Sequence, residues 1–177
     1  MLGRTYDTQI CSVDGTLELI GERWTLLIVR DAFLRVRRFE DFQRRTGMAR
    51  NVLADRLNRL VEQGIFERVA YQDHPVRFEY HLTDKGIDLW PIVVSLLQWG
   101  DKYVYPGRPP LLLVHKRCGG TVDSHRICVM CGARLGPRDV EVREGIAGGM
   151  GVAGGGASQP MAPKVANLTI ASVEGTK

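Results

Sequence analysis

Residues 48–64, MARNVLADRLNRLVEQG, constrain the fold of this chain more than any other stretch. Leu53, Leu57, Leu60 and Val61 recur at the i, i+4, i+7, i+8 spacing of one helix face. Asn51, Asp55, Asn58, Arg59 and Glu62 fall on the opposite face at about 100° per residue. Gly64 is suited to stop the helix in the left-handed conformation. A shorter amphipathic stretch, Phe39–Thr46, ends just upstream at Gly47. Two short helices joined through a glycine turn form a helix-turn-helix pattern, and the second opens with Arg50 and Asn51, side chains that suit base edges and phosphate. Taken alone, the pair fits a helical hairpin in an ordinary core equally well.

The residues downstream decide between the two. Residues 65–71 and 77–82 alternate like half-buried strands around the turn residues 72–76. A hairpin placed directly after the second helix makes a winged helix, and it would lay Arg68, His74 and Arg77 along a flanking groove or the phosphates. Between Arg35 and Arg59 stand eight arginines against Glu40, Asp41 and Asp55, a local charge of +5. The planar guanidinium fork suits phosphate and base edges better than lysine does. The net charge of +4 points mildly the same way, to an anionic partner.

Upstream, Ser12 is placed to cap a short helix over Val13, Leu17 and Ile20, which Gly21 ends. Residues 23–34 read as a mostly buried helix. Beyond the hairpin, Thr83 caps a helix expected to run to Tyr103, kinked by Pro91 through a clash with the carbonyl of Ile87. Its apolar arc, with Trp90, Val94, Leu97 and Trp99, is wider than one domain face needs. The excess reads as a dimer surface, shared with the helix near Cys11. The prolines at 106, 109 and 110 then mark a stiff linker.

Past the linker a strand at residues 111–115 leads into His115-x2-Cys118 and Cys128-x2-Cys131. Two close pairs give the ligand count of a tetrahedral structural zinc site, and the glycines after them, Gly119 and Gly132, let backbone amides turn toward the thiolates. Plain thiols and a redox pair are the alternatives, and Asp123 or His125 could replace His115 as fourth ligand. Residues 111–143 are too few for a sizeable core, so metal is expected to hold the segment together, with the prolines separating it from the winged helix. From Gly145 the chain turns glycine-rich, and residues 145–177, like 1–10, are expected to be disordered.

No apolar run approaches the ~20 residues that span a bilayer, and the N-terminus lacks a secretory layout. A cytoplasmic location with reduced cysteines is the expectation. There is no phosphate-cradling glycine loop, nucleophile elbow or metalloprotease pair, so the chain does not read as an enzyme.

The order and spacing of several motifs carry a resemblance. They are Cys11, Gly21-Glu22-Arg23-Trp24-Thr25-Leu26-Leu27-Ile28, Arg38-Phe39-Glu40-Asp41-Phe42, Val52-Leu53-Ala54-Asp55-Arg56-Leu57, Leu60-Val61-Glu62-Gln63-Gly64-Ile65, the run from Arg77 to Gly86, and Trp99-Gly100. Over these the chain resembles the HxlR-type bacterial transcription regulators, winged-helix proteins related to the MarR group. The resemblance implies a homodimeric regulator of double-stranded DNA, with the helix from Arg50 in the major groove and the hairpin as wing. The expected function is that of a repressor, responsive to a small molecule or to a redox or electrophile signal, on an inverted-repeat operator that the two-fold symmetry of a dimer requires. Two positions depart from the family: Ala49 stands where a small hydroxyl residue is usual, and Asn58 where a basic one is. Residues 115–143 resemble, more weakly, a Cys-rich extension of some actinobacterial-looking members.

The expected architecture is mainly α with a small β-hairpin (α+β). It comprises a winged helix-turn-helix at residues 1–105, a zinc-ribbon-like segment at 111–144 and a disordered tail at 145–177. Arg50, Asn51, Asp55, Asn58 and Arg59 are the expected base readers, with Arg56 at the flank. Arg35, Arg37, Arg44 and Arg45 are the expected phosphate contacts. Cys11 is either a small buried core thiol or, as at the matching position of some relatives, a sensor of oxidants. The rival to DNA binding is a winged-helix module that binds protein, which Asp55 and Glu62 would favour.

Overall fold

A computed structural model describes residues 11–146; the expectations for residues 1–10 and for the tail beyond 146 lie outside them. Helices α1 (Ser12–Ile20), α2 (Arg23–Phe33), α3 (Phe39–Thr46) and α4 (Arg50–Glu62) come first. The hairpin β1 (Phe66–Asp73) and β2 (Val76–Leu82) is next, then α5 (Asp84–Ile87) and α6 (Trp90–Tyr103). A second antiparallel pair, β3 (Leu111–His115) and β4 (Val140–Glu144), closes the described chain. The α+β winged-helix expectation is met.

The main core is built by the face read from sequence. Leu53, Leu57 and Leu60 of α4 are buried against Ile28 and Val29 of α2 and Phe42 of α3. Gly47 and Gly64 take φ of +69° and +65°; for Gly64 this is the left-handed stop expected of it, and Gly47 stops α3 in the same way. At the end of α4 the N–H of Gly64 reaches Val61 O and that of Ile65 reaches Leu60 O, while the side chains of Leu60 and Ile65 are buried together. This is a Schellman termination, and it aims the chain into β1. Thr83 caps α5 as expected: its hydroxyl accepts from Gly86 N–H and donates to Gly64 O at 2.6 Å. Gly86 has no room for a side chain, since an added Cβ would meet the carbonyl of Ile65.

Local expectations need correction at several points. Cys11, not Ser12, is the N-cap of α1; Ser12 is already helical and no side chain caps the end. Pro91 does not kink one long helix: the chain breaks into α5 and α6, and Pro91 lies in the first turn of α6. A first-turn residue needs no intrahelical acceptor, so the missing N–H costs nothing there. The hairpin does not alternate in burial: only its base, Phe66 and Tyr80, is buried, because beyond the base it leaves the core on both faces. Before the helix-turn-helix, a single bridge from Arg38 to Glu79 and the Tyr80 N–H donating to Arg37 O tie that stretch to the edge of β2.

The C-terminal segment departs from expectation as well. Trp90, Val94 and, partly, Leu97 do not form a dimer face, because they are covered by Leu113, Cys128, Leu135 and Val140 of the same chain. Phe33 at the end of α2 joins that second core, its ring tilted on Trp90 at 5.1 Å. Gln98 donates to the carbonyls of Val122 and Asp123. The linker prolines therefore do not hold the segment apart from the winged helix; it is packed onto α6.

Candidate nucleic-acid interface and metal centre

The outer face of α4 is as expected. Arg50, Asn51, Asp55, Asn58 and Arg59 are all exposed, while the opposite side of the same helix is sealed in the core. Ala49 is the N-cap and supplies no side-chain bond, as its methyl group dictates. The guanidinium of Arg50 lies 4.9 Å over the ring of Phe39, which links the two helices of the motif at their open ends. In the wing, Arg68, His74 and Arg77 are exposed. Arg38 lies over the ring of Tyr71 at 4.5 Å and pairs with Glu79 at 3.1 Å. That hydrogen bond holds the Glu79 carboxyl below its ordinary value.

Several arginines expected on phosphates are turned inward. Asp31 of α2 is fully buried and takes Arg30 at 2.8 Å and Arg45 of α3 at 3.4 Å. Arg37 donates to the carbonyls of Ala32 and Val36, closing the C-terminal end of α2, and burial lowers its pKa. Arg56, the expected flank contact, is mostly buried and pairs with Glu22 at 2.6 Å. Of the expected positioners, Arg35 and Arg44 remain on the surface, Arg44 in an i, i+3 pair with Asp41 at 2.6 Å. A helical wheel marks all of these as polar positions but cannot show that a buried carboxylate waits for one of them. Cys11 is exposed in the chain, so the buried-thiol alternative does not hold for the described residues.

Exposed apolar side chains gather on the two helices expected at a dimer contact. On α6, Ile92, Leu96, Trp99 and Tyr103 follow i, i+4, i+7, i+11, with Trp99 59% exposed. On α1, Val13 and Leu17 are exposed as well. Between α2 and α6 lies an apolar cavity of about 230 Å³, lined by Leu26, Leu27, Val93, Leu97 and Leu111, with Arg30 and Asp101 as its charged groups. Burial raises the Asp101 carboxyl above its ordinary value.

The Cys/His cluster closes around one point. Cys118 Sγ stands 3.3 Å from Cys128 Sγ and 3.3 Å from His115 Nδ1, and Cys131 Sγ is 3.3 Å from the same nitrogen. All four ligand atoms lie within 4.8 Å of one another. Bond lengths near 2.3 Å to sulfur and 2.0 Å to nitrogen in a tetrahedron imply ligand–ligand edges of about 3.5–3.8 Å. The donor set therefore fits zinc. Asp123 is committed elsewhere, accepting from the amides of His125 and Ile127, and among the described residues neither it nor His125 joins the cluster.

Each pair sits on a turn that the sequence located. Gly119 and Gly132 take φ of +77° and +68°, and their N–H groups return to His115 O and Cys128 O. Burial raises the Cys128 thiol, but the N–H groups of Cys131 and Met130, with hydrogen bonds from Cys118 and His115, outweigh it and bring the thiol down to about 6. Cys118 moves the other way: the Gly120 amide lowers it, but Cys128, burial and Cys131 together raise it. Sequence reasoning missed Gly120. A Cβ there would stand 2.6 Å from Cys128 Sγ and 2.8 Å from Met130 Cβ, so the cluster closes only over a bare α-carbon. Adjacent glycines hinted at it, without showing which one was needed for φ and which for space.

Comparison with known proteins agrees with the helix-turn-helix part of the chain. The family described as HxlR-like helix-turn-helix matches residues 19–108. The uncharacterized HTH-type transcriptional regulator Rv3095 of Mycobacterium tuberculosis is 48% identical over 135 residues, covering 76% of this chain and 85% of that protein. The uncharacterized HTH-type transcriptional regulator YdeP of Bacillus subtilis is 30% identical over 98 residues, covering 55% of this chain and 77% of that protein. Among solved structures, PA1607, described as a candidate transcription factor, superposes with a TM-score of 0.62 at 37% identity, covering 78% of this chain and 97% of that one.

Proposed function

We propose that this chain, which belongs to the HxlR-like helix-turn-helix family of transcriptional regulators, binds double-stranded DNA as a homodimer and represses from an inverted-repeat operator. The observation that carries this reading is the division of α4. One face is sealed into the core, which fixes the helix rigidly, while Arg50, Asn51, Asp55, Asn58 and Arg59 are exposed on the other. Arginine and asparagine at the start of such a helix suit guanine and adenine edges. Arg68, His74 and Arg77 of the wing, with Arg35 and Arg44, supply the sequence-independent phosphate contacts.

The dimer is assigned to the exposed stripe of α6 at Ile92, Leu96, Trp99 and Tyr103, together with α1. Two-fold symmetry then sets half-sites about one helical turn apart. The same reading places the protein in the cytoplasm; among the described residues no helix is long and apolar enough to cross a membrane. A small-molecule effector with an apolar body fits the cavity beside Arg30 and Asp101. His115, Cys118, Cys128 and Cys131 would hold zinc, which supplies a fixed four-point cross-link and, with no position left open, no catalysis.

Retardation of the DNA upstream of the chain's own gene, followed by footprinting, tests the reading. A protected inverted repeat with competition by that repeat alone supports it. Salt-insensitive, sequence-blind or absent binding would instead leave a winged-helix module for a protein partner. Light scattering at micromolar concentration checks the dimer, and a monomer there contradicts it.

A further inference from the structure

We propose that the Cys3His centre is a signal input of this regulator: oxidation of its outward thiolates by a peroxide-class oxidant releases the metal and weakens DNA binding through α6. The inference rests on the DNA-binding reading above.

The centre is both reachable and built into the core, and the two properties fall on different sulfurs. Cys131 is exposed and Cys118 half-buried, so an oxidant can meet them. Cys128 is buried and lies in one apolar cluster with Trp90 and Val94 of α6. It shares that cluster with Leu113, Leu135 and Val140 of its own segment, so the turn that carries it is part of the cover on α6. The segment from β3 to β4 is a two-stranded pair and loops, and such a pair is marginal by itself. Its tie to the rest is the cluster, the Gln98 bonds to Val122 and Asp123, and the Phe33–Trp90 ring contact that continues into α2. The opposite face of α6 carries the exposed stripe assigned to the dimer. A change of support under one face of α6 is therefore a change in how two copies meet, and so in the spacing of their α4 helices.

The chemistry balances with one peroxide. The Cys131 thiolate attacks a peroxide oxygen; the O–O bond breaks, and hydroxide leaves and takes a proton to become water. The resulting sulfenic acid is attacked by the Cys118 thiolate; the S–S bond forms, the S–O bond breaks, and a second hydroxide takes a proton. Two thiolates are oxidised by two electrons and the peroxide is reduced to two waters. His115 and Cys128 remain, and two ligands do not hold zinc in a tetrahedral site.

The test uses the full chain with Cys11→Ser, so that the only thiols left are those of the centre. Zinc-loaded, reduced protein is treated with one equivalent of hydrogen peroxide. Zinc release is read with a chromophoric chelator, thiols by titration, and affinity for the footprinted upstream DNA by fluorescence anisotropy. The expected result is one zinc released and two thiols lost per chain, with DNA affinity reduced at least tenfold and restored by reductant with added zinc. Zinc release with unchanged affinity overturns the coupling and leaves the DNA-binding reading intact. Retention of zinc and thiols, or a response that vanishes with Cys11, overturns the sensor. Reduced, zinc-loaded protein that fails to bind the DNA at all removes the DNA-binding reading and this proposal with it.

Discussion

Replacing Gly120 with alanine isolates what the metal centre needs from its backbone. Ordinary contact begins at 3.4 Å, and the new methyl would stand 2.6 Å from Cys128 Sγ and 2.8 Å from Met130 Cβ. Some atom must give by the better part of an ångström. Met130 Cβ is fixed to the backbone of the Cys128–Cys131 turn, and Cys128 is packed against Trp90 and Val94, so neither is a loose side-chain end. Metal sites accept ligand displacements of only about 0.2 Å, so the strain falls on the metal. Gly120→Ala should weaken zinc at least tenfold, about 1.4 kcal/mol, and by as much as the ~100-fold typical of damaged supporting shells. Two neighbours serve as controls. Gly119→Ala meets open space but sits at φ +77°, so it should lose about 1–2 kcal/mol of backbone stability while its ligand geometry is spared. Gly136→Ala meets only Asp139 Oδ2 at 3.5 Å and should change neither quantity. Competition against a chromophoric chelator measures the zinc affinity, and denaturant unfolding the stability. If Gly120→Ala binds zinc like the parent, or Gly119→Ala loses it as badly, the steric argument is wrong.

Arg59→Ala should relax preference at one operator position by roughly 1–3 kcal/mol, whereas Arg44→Ala should weaken all sequences alike and reduce the salt slope by about one; anisotropy titrations over several salt concentrations and operator variants separate the two. Asp31→Asn leaves Arg30 and Arg45 without their carboxylate and should destabilise the fold by about 2–3 kcal/mol, less than the ~3–5 of a fully buried pair because those side chains stay 23% and 19% exposed; a urea midpoint close to that of the parent would contradict it. The metal-free protein should gain stability as pH rises from 6 to 9, because folded Cys128 titrates near 6 while the unfolded thiol titrates near 9, so the unfolded chain binds more protons in that window. The raised Cys118 thiol works the other way, because the folded chain holds that proton to higher pH than the unfolded one, so the gain tapers as pH approaches 9. Unfolding curves of chelator-treated protein should show this slope, and Cys128→Ser should flatten it.

The parts legible in the sequence are those that a single helix or turn decides by itself. The buried face of α4, the left-handed glycines 47 and 64, the Thr83 cap and the two glycine turns at the metal all depend on residues within a few positions of one another. The Cys/His cluster was legible too, because close pairing is a local signal. What escaped needed a partner from elsewhere in the chain. Arg45 and Arg56 look like surface charge until Asp31 and Glu22 are placed beside them. Trp90 and Val94 look like an interface until residues 113–140 are folded back onto α6. Pro91 read as a kink because apolar spacing runs through residues 87–97 without pause, although the backbone changes helix at Asp88 and Leu89.

The shared core also sets an order of events during synthesis. α6 leaves the ribosome about 40 residues before β4 does. At about 5–20 residues per second this leaves some 2–8 s in which Trp90 and Val94 have no cover. Both faces of α6 are then apolar at once, the outer stripe and the inner one. Cover is complete only when Leu135 and Val140 have emerged and folded back onto it. During that interval newly made chains are open to chaperones or to aggregation through α6, while chains completed earlier are covered.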